Sequence, residues 1–469
     1  MQHIYSGAQV RAAEQAYARS APLSDLMERA SAGLAAAVRE ELGDGRRVLV
    51  VTGPGSNGGD ALFAGAALAA DVDVMAWRTS EKVHDEAWAA FTAAGGTEVS
   101  GDVDTLLDGV DLLVDGVYGL GARAGLPEDV AALAAACRKR RTPVVACDLP
   151  SGLEADSANA TEPSFWATRT VTFGSYKPCH VLGSARERCG RVTLVDIGLE
   201  LSDPPLVVWE RADVAAAWPY PDASSDKYSR GVVGIDTGSP GYPGAGILTT
   251  FGAVHAGAGM VRFCGPEEVG RALTVELPNV VYGEGRVQAW LVGSGWGERP
   301  DGKERLQELL GTGLPVVVDA NAIAYVPEQL GRPDVLLTPH AGELAKLLVM
   351  ERSDVEADPV GAVRKAAGTY GVTVLLKGST QYVAGPRSTQ VQVAVTGPAW
   401  TAQAGSGDTL AGVCATLLAA GLAAPDAAVC AASVQALTAS ARPGPYPPQD
   451  TARHFPATIA ALEAEARPA

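Results

Sequence analysis

The sequence predicts an α/β protein built on two mostly parallel sheets, and three observations carry that prediction. Short β-branched runs alternate with alanine-rich helical stretches along nearly the whole chain, the pattern of helices covering a parallel sheet. Several of these runs end in glycine-rich loops that carry an acid, as where residues 47–52 lead into Gly53-Pro54-Gly55-Ser56-Asn57-Gly58-Gly59-Asp60. A segment rich in Pro, Asp and Ser near residues 205–225 lacks a periodic run and divides the chain, as linkers do.

Length and composition bound the reading. A chain of 469 residues suggests roughly three domains, and two large open-sheet domains fit equally well. The 47% hydrophobic content with 54 glycines and 30 prolines is that of a turn-rich globular protein. Since no apolar run reaches the roughly 18 residues of a membrane span, a soluble protein is expected. The net charge of −17 disfavours a nucleic-acid backbone as partner, yet allows a small anion held by local N–H groups. Residues 1–10 lack a basic segment followed by an apolar one, so no secretory signal is expected and the cytoplasm is the expected compartment. Seven cysteines, an odd number without a C-x-x-C pair, read as core residues rather than a disulfide framework or zinc site.

In chain order, apolar residues at helical spacing predict helices over 8–18 and 23–42, the second closing at Gly43. The continuous run 47–52 is a strand buried on both faces, followed by the glycine loop and a helix over 61–70. Further strands are expected over 72–75, 112–114, 144–147, 170–173 and 192–195. Two of them also end in acid-and-glycine loops, Asp115-Gly116-Val117-Tyr118-Gly119-Leu120-Gly121 and Asp148-Leu149-Pro150-Ser151-Gly152. Three such loops at strand ends imply one shared pocket. Taken singly, Asp115 and Asp148 read as turn-capping acids more readily than as functional ones.

Together, SNGGD, DGVYGLG and DLPSG resemble the epimerase domain of NAD(P)H-hydrate repair proteins, over residues from about 5 to 198. The resemblance implies a Rossmann-like domain in which Asn57, Asp115 and Ser151 hold a potassium ion. It places Ser56, Asn57, Gly58, Gly59 and Asp60, the loop from Gly119 through Gly121 to Gly125, and Asp148 around the damaged nicotinamide ring. Asp148 is the expected acid/base group, with Lys177 a possible partner. Departures are Ser56 for the usual Asn and Ala61 for the usual Gly.

After the break, strands are expected over 231–235, 260–263, 289–292, 315–318, 335–337 and 372–376, with a helix ending near 256. The attached loops are Gly238–Gly246, Gly293–Gly297, Asp319-Ala320-Asn321, Thr338-Pro339-His340-Ala341-Gly342-Glu343, Lys377-Gly378-Ser379-Thr380-Gln381 and Ala402–Gly412. The last places Gly405, Ser406 and Gly407 at a helix start beside Asp408. That arrangement is either an anion hole with a base or a helix start with Asp408 as its cap. His340 reads equally as a functional imidazole or a backbone cap, and Lys377 as a ligand or a solvent-facing strand end.

These loops are similar, in order and content, to a ribokinase-like domain and most closely to the dehydratase half of the same repair proteins. The resemblance assigns Ala245, Gly295 and His340 to the substrate, the Lys377–Gln381 and Gly405–Gly407 loops to the nucleotide, and Asp408 to catalysis. It implies domains over 1–210 and 226–469 joined by a linker over 211–225. The expected ligands are NADHX, NADPHX, and ADP with Mg2+, and the expected assembly is a homo-oligomer with neither nucleic acid nor membrane as partner. The implied chemistry is epimerisation of the R and S hydrates, then phosphoryl transfer from ADP to the ring hydroxyl of the S form, with Asp408 taking its proton. The second half departs from the family at Thr396–Thr401, at Asn321 and in the helix containing residues 431–437. The competing reading is a kinase for a vitamin-like alcohol fused to a non-catalytic nucleotide-binding module.

Overall fold

The computed structural model describes every residue except 122, 123, 161, 468 and 469. It divides into two compact units, His3–Pro204 and Pro205–Ala469, the latter joined by Met1–Gln2.

The first unit is a seven-stranded parallel sheet in the order Thr97–Glu98, Asp73–Arg78, Arg47–Thr52, Leu112–Gly116, Val144–Cys147, Arg169–Phe173, Arg191–Val195. The chain winds one way from Arg47–Thr52 and then the other way from Leu112–Gly116. The switch point therefore lies between these two strands, where open α/β sheets bind ligands. Val48, Leu49, Val50 and Val51 are all fully buried, as expected for a strand covered on both faces. The first expected helix is Gly7–Tyr17, started by a capping box in which the Ser6 hydroxyl accepts from Gln9 N–H. The helix expected over 61–70 instead starts at Ser56, so the SNGGD stretch forms its opening turns. Its glycines are steric: a Cβ on Gly58 would lie 2.2 Å from the Gly53 carbonyl oxygen. Ala61 is accommodated because its Cβ faces Gly116, where a second Cβ would approach to 2.4 Å.

The second unit carries an eleven-stranded sheet whose centre is parallel, running from Val232–Asp236 through Ala289–Val292, Val316–Val318 and Val335–Leu337 to Thr373–Leu376. Tyr382–Ala384 and Val391–Val393 extend it as an antiparallel meander. The linker expected over 211–225 is corrected. Leu206–Val208 pairs with Val391–Val393, Arg211–Ala217 is a helix, and Trp209, Val214 and Trp218 are buried in the second unit's core. Three apolar anchors overrode the surrounding prolines. The helices Pro243–His255 and Ser406–Ala419 cross in backbone contact, since a Cβ on Gly252 would lie 2.1 Å from Thr409 O and one on Gly412 2.1 Å from Thr249 O. No helix among the described residues is long and apolar enough to cross a membrane.

Candidate active sites

In the first unit the strand-end loops enclose a cavity of about 810 Å³, to which Ser56, Asn57, Asp60, Gly119, Gly121 and Asp148 contribute. Gly58 and Gly59 do not line it, being packed against Gly53 and His84. Ala122 and Arg123 of the expected 119–125 loop lie outside the described residues.

Asp148 follows Val144–Cys147 with φ of 64°, a left-handed backbone uncommon away from glycine and often found where a site dictates side-chain direction. Its Oδ1 accepts from Lys177 Nζ at 2.6 Å and Thr172 Oγ1 at 3.0 Å. Lys177 is fully buried and also donates to Thr172 Oγ1 and the Phe173 carbonyl. His180 clamps the corner, its Nδ1 accepting from Lys177 N–H and its Nε2 facing Asp148 O at 2.8 Å. Burial alone would raise Asp148, but the Lys177 charge and hydrogen bond hold it below the ordinary carboxylate value. Asp60 has the opposite setting. It is buried, Oδ1 has no hydrogen-bond partner, and burial followed by the charges of Asp148 and Glu14 raises it well above the ordinary value. Glu14, on the helix Gly7–Tyr17, lines the same cavity and is raised chiefly by burial. Nothing in its alanine-rich surroundings marked it in the sequence.

Below the cavity floor, Asp115 is fully buried and pushed up to about 6 by that burial, against the opposing hydrogen bonds from Ser151. Ser151 Oγ donates to Asp115 Oδ1 at 2.6 Å and accepts from Tyr118 N–H. Asn57 Nδ2 donates to Tyr118 O, which leaves Asn57 Oδ1 beside Gly119, 3.0 Å from where a Cβ there would sit. Asn57, Asp115 and Ser151 thus meet through Tyr118, as a cluster of hard oxygen donors.

The second site lies at the carboxyl ends of the central strands. Ser406–Ala419 begins on Gly405, with φ of 89° and no side chain to cap with. Asp408 is the third residue of that helix, and it is not the cap. It is pushed up to about 6 by burial and by Asp319 and Glu343, with Lys177's counterpart here, Lys377, opposing. Ser406 N–H donates to Gln403 O and Thr409 N–H to Gly405 O, so Gly407 and Asp408 hold the first-turn N–H groups that the helix does not pair. Gln435 Nε2 holds the Ser406 carbonyl at 2.9 Å, which gives the divergent 431–437 helix a role in shaping this start.

Lys377 is not a solvent-facing strand end. Its Nζ bonds Asp319 Oδ1 at 2.7 Å and lies 3.2 Å from where a Cβ on Gly407 would sit. Burial lowers the lysine, yet Asp319 and Glu343 raise it above its ordinary value. Asp319, which sequence reasoning noted without assigning, is the hub: it also accepts from Ser294 Oγ and Thr338 Oγ1 at 2.7 Å each. Gly378 and Ser379 are exposed, Thr380 is buried and Gln381 half-buried. His340 is the N-cap of Ala341–Leu348, its Nδ1 accepting from Gly342 and Glu343 N–H. The capping reading holds geometrically, and Nε2 remains as the ring's outward group, 3.6 Å from Glu343 Oε1. Gly295 meets Ala245, to within 2.4 Å of the Ala245 Cβ had it a Cβ of its own.

The comparisons match both halves. A family described as YjeF-related protein N-terminus covers residues 23–179, and one described as NAD(P)H-hydrate dehydratase covers 233–455. The bifunctional NAD(P)H-hydrate repair enzyme of Mycobacterium tuberculosis is 41% identical over 91% of this chain and 91% of the relative. That of Mycobacterium leprae is 41% identical over 95% and 96%. Among solved structures, the ADP/ATP-dependent NAD(P)H-hydrate dehydratase of Bacillus subtilis, co-crystallised with ATP and Mg2+, is 23% identical with a TM-score of 0.52. It covers 55% of this chain and 98% of that one, a likeness of fold in the second unit. With both domain families present in order and relatives matched along nearly their full length, the chain belongs to the bifunctional NAD(P)H-hydrate repair enzymes.

Proposed function

We propose that the first unit interconverts the R and S hydrates of NADH and NADPH with Asp148 as acid/base group, and that the second dehydrates the S hydrate with ADP as phosphoryl donor. The observation that carries the second half is Asp408 at a glycine-initiated helix start, pushed up to about 6 beside Lys377 and the free N–H groups. A carboxylate so placed suits removal of a proton from a hydroxyl, while the N–H groups and Lys377 face phosphate oxygens. Hydroxide leaves poorly. Transfer of the terminal phosphoryl group to the ring hydroxyl turns it into a leaving group; phosphate departs with the C–O bonding pair, the neighbouring ring carbon gives up a proton to solvent, and its C–H pair restores the ring double bond.

The residues fit both implied ions. Asn57, Asp115 and Ser151 offer an amide oxygen, one carboxylate and a hydroxyl, suited to a singly charged hard cation. The buried Asp115, raised by that burial, is what such a cation would neutralise. In the second unit the described residues hold no group of three ligating acids, histidines or cysteines, so Mg2+ would be carried mainly by the nucleotide's phosphates, whose charge it offsets. His340, Ala245 and Gly295 would border the substrate, and the 377–381 turn the nucleotide.

The test is direct. Hydrated NADH with ADP and Mg2+ should regain its near-ultraviolet absorbance and release inorganic phosphate. A phosphorylated alcohol as the product would establish the kinase reading instead.

A further inference from the structure

We infer that Asp60 is the proton donor of the first site, protonating the ring hydroxyl as it leaves during epimerisation. The inference rests on the epimerase reading and assigns Asp60 a chemical step beyond bordering the ring.

Asp60 and Asp148 line one cavity with different partners. Asp148 is bound by Lys177 and Thr172. Asp60 is 9% exposed and its Oδ1 is buried without a partner. An ionised carboxylate with an unpaired buried oxygen is strongly disfavoured, whereas the neutral acid removes the charge and carries a hydrogen to give. The surrounding groups point the same way. Glu14 and Arg11 face the cavity from the helix Gly7–Tyr17, Asp148 comes with Lys177 behind it, and Cys147 and His84 lie beside the helix that carries Asp60. The charges of Asp148 and Glu14 oppose a third negative charge. Two carboxyls driven apart in this way mark an acid and a base.

The chemistry balances. Water added to a reduced nicotinamide ring beside its nitrogen leaves a hydroxyl on a carbon bonded to that nitrogen. Asp60 gives its proton to the hydroxyl, the C–O bond breaks, and the nitrogen lone pair forms a C=N bond as water departs. A water then adds to the other face of that carbon, the pair returns to nitrogen, and the water's proton goes to Asp148. The proton passes back from Asp148 to Asp60 through solvent, and the enzyme is restored.

The experiment follows conversion of purified S hydrate to R hydrate, without nucleotide and in potassium buffer, by chromatography across pH. Exchange by the wild type should fall on the alkaline side as Asp60 ionises, and its infrared spectrum at neutral pH should show a protonated carboxyl absent from Asp60→Asn. That variant should lose about 10²–10⁴-fold in kcat, the usual span for a lost general acid, with KM changed little. If Asp60→Asn keeps more than a tenth of wild-type exchange, or the wild-type profile stays flat at alkaline pH, the inference is overturned while the epimerase reading stands. If the wild type shows no exchange, the reading itself fails and takes the inference with it.

Discussion

At the scale of single residues, burial raises Asp408 and Asp148 alike, and only at Asp148 does the neighbouring lysine outweigh it. Asp408 is held at about 6, so a base there works only above that value: the dehydration rate should climb with pH through about 6 and level off. Asp408→Asn should cost about 10²–10⁴-fold in kcat, read as regained NADH absorbance. Asp148 is held down by a buried lysine. Its folded value lies below the unfolded one of about 3.9, so the pair contributes stability that is present above that pH and is lost as pH falls through the folded value. Lys177→Met leaves the carboxylate buried and uncompensated, and should cost about 3–5 kcal/mol in urea unfolding. Adding Asp148→Asn should return part of that loss. The glycine loops and their acids were legible in the sequence because the motifs are contiguous. His180, Glu14 and Asp319 owe their roles to contacts that span tens of residues, such as the 58-residue separation of Lys377 from Asp319, which no local pattern encodes, and Lys177 was reached only through the family resemblance.

At the scale of elements, buried parallel strands are the most readable feature. The expected 47–52, 144–147, 260–263, 289–292 and 335–337 match the observed strands, because short, mostly apolar runs flanked by glycine, proline or acids leave little room for another reading. The shortest strands were not legible: Thr97–Glu98 and Val281–Tyr282, at sheet edges, have two residues each and are exposed, and Leu206–Val208, an inner strand, hides among prolines. Helix starts shifted where glycines looked like loop, as at Ser56. The crossing of Pro243–His255 with Ser406–Ala419 is the element on which the second site depends, since it fixes the helix that carries Asp408. Gly252→Ala and Gly412→Ala should each force the helices apart, with Cβ approaches of 2.1 Å to backbone oxygen. Each should cost about 1–3 kcal/mol, as overpacking does. Dehydration should suffer more than hydrate binding, because Asp408 moves relative to Lys377.

At the scale of the whole molecule, the residues described for each site belong to one unit: Asp148, Lys177, Asp60 and Glu14 to His3–Pro204, and Asp408, Lys377, Asp319 and His340 to Pro205–Ala469. Sites that share no partners should respond to substitution additively. Replacing potassium by choline should therefore slow epimer exchange, where Asp115 would lose its counter-charge, and leave dehydration of pure S hydrate unchanged. A sharper separation comes from an equal mixture of R and S hydrates given ADP and Mg2+. The wild type should return the full NADH absorbance in one course, because exchange keeps supplying the S form. Asp148→Ala should return the S share, half the signal, at the ordinary rate, with the remainder following only as fast as the hydrates interconvert unaided. Asp408→Asn should exchange the epimers normally while absorbance returns far more slowly. Full recovery by Asp148→Ala at wild-type speed would mean that exchange does not need Asp148, and would overturn its role as the acid/base group.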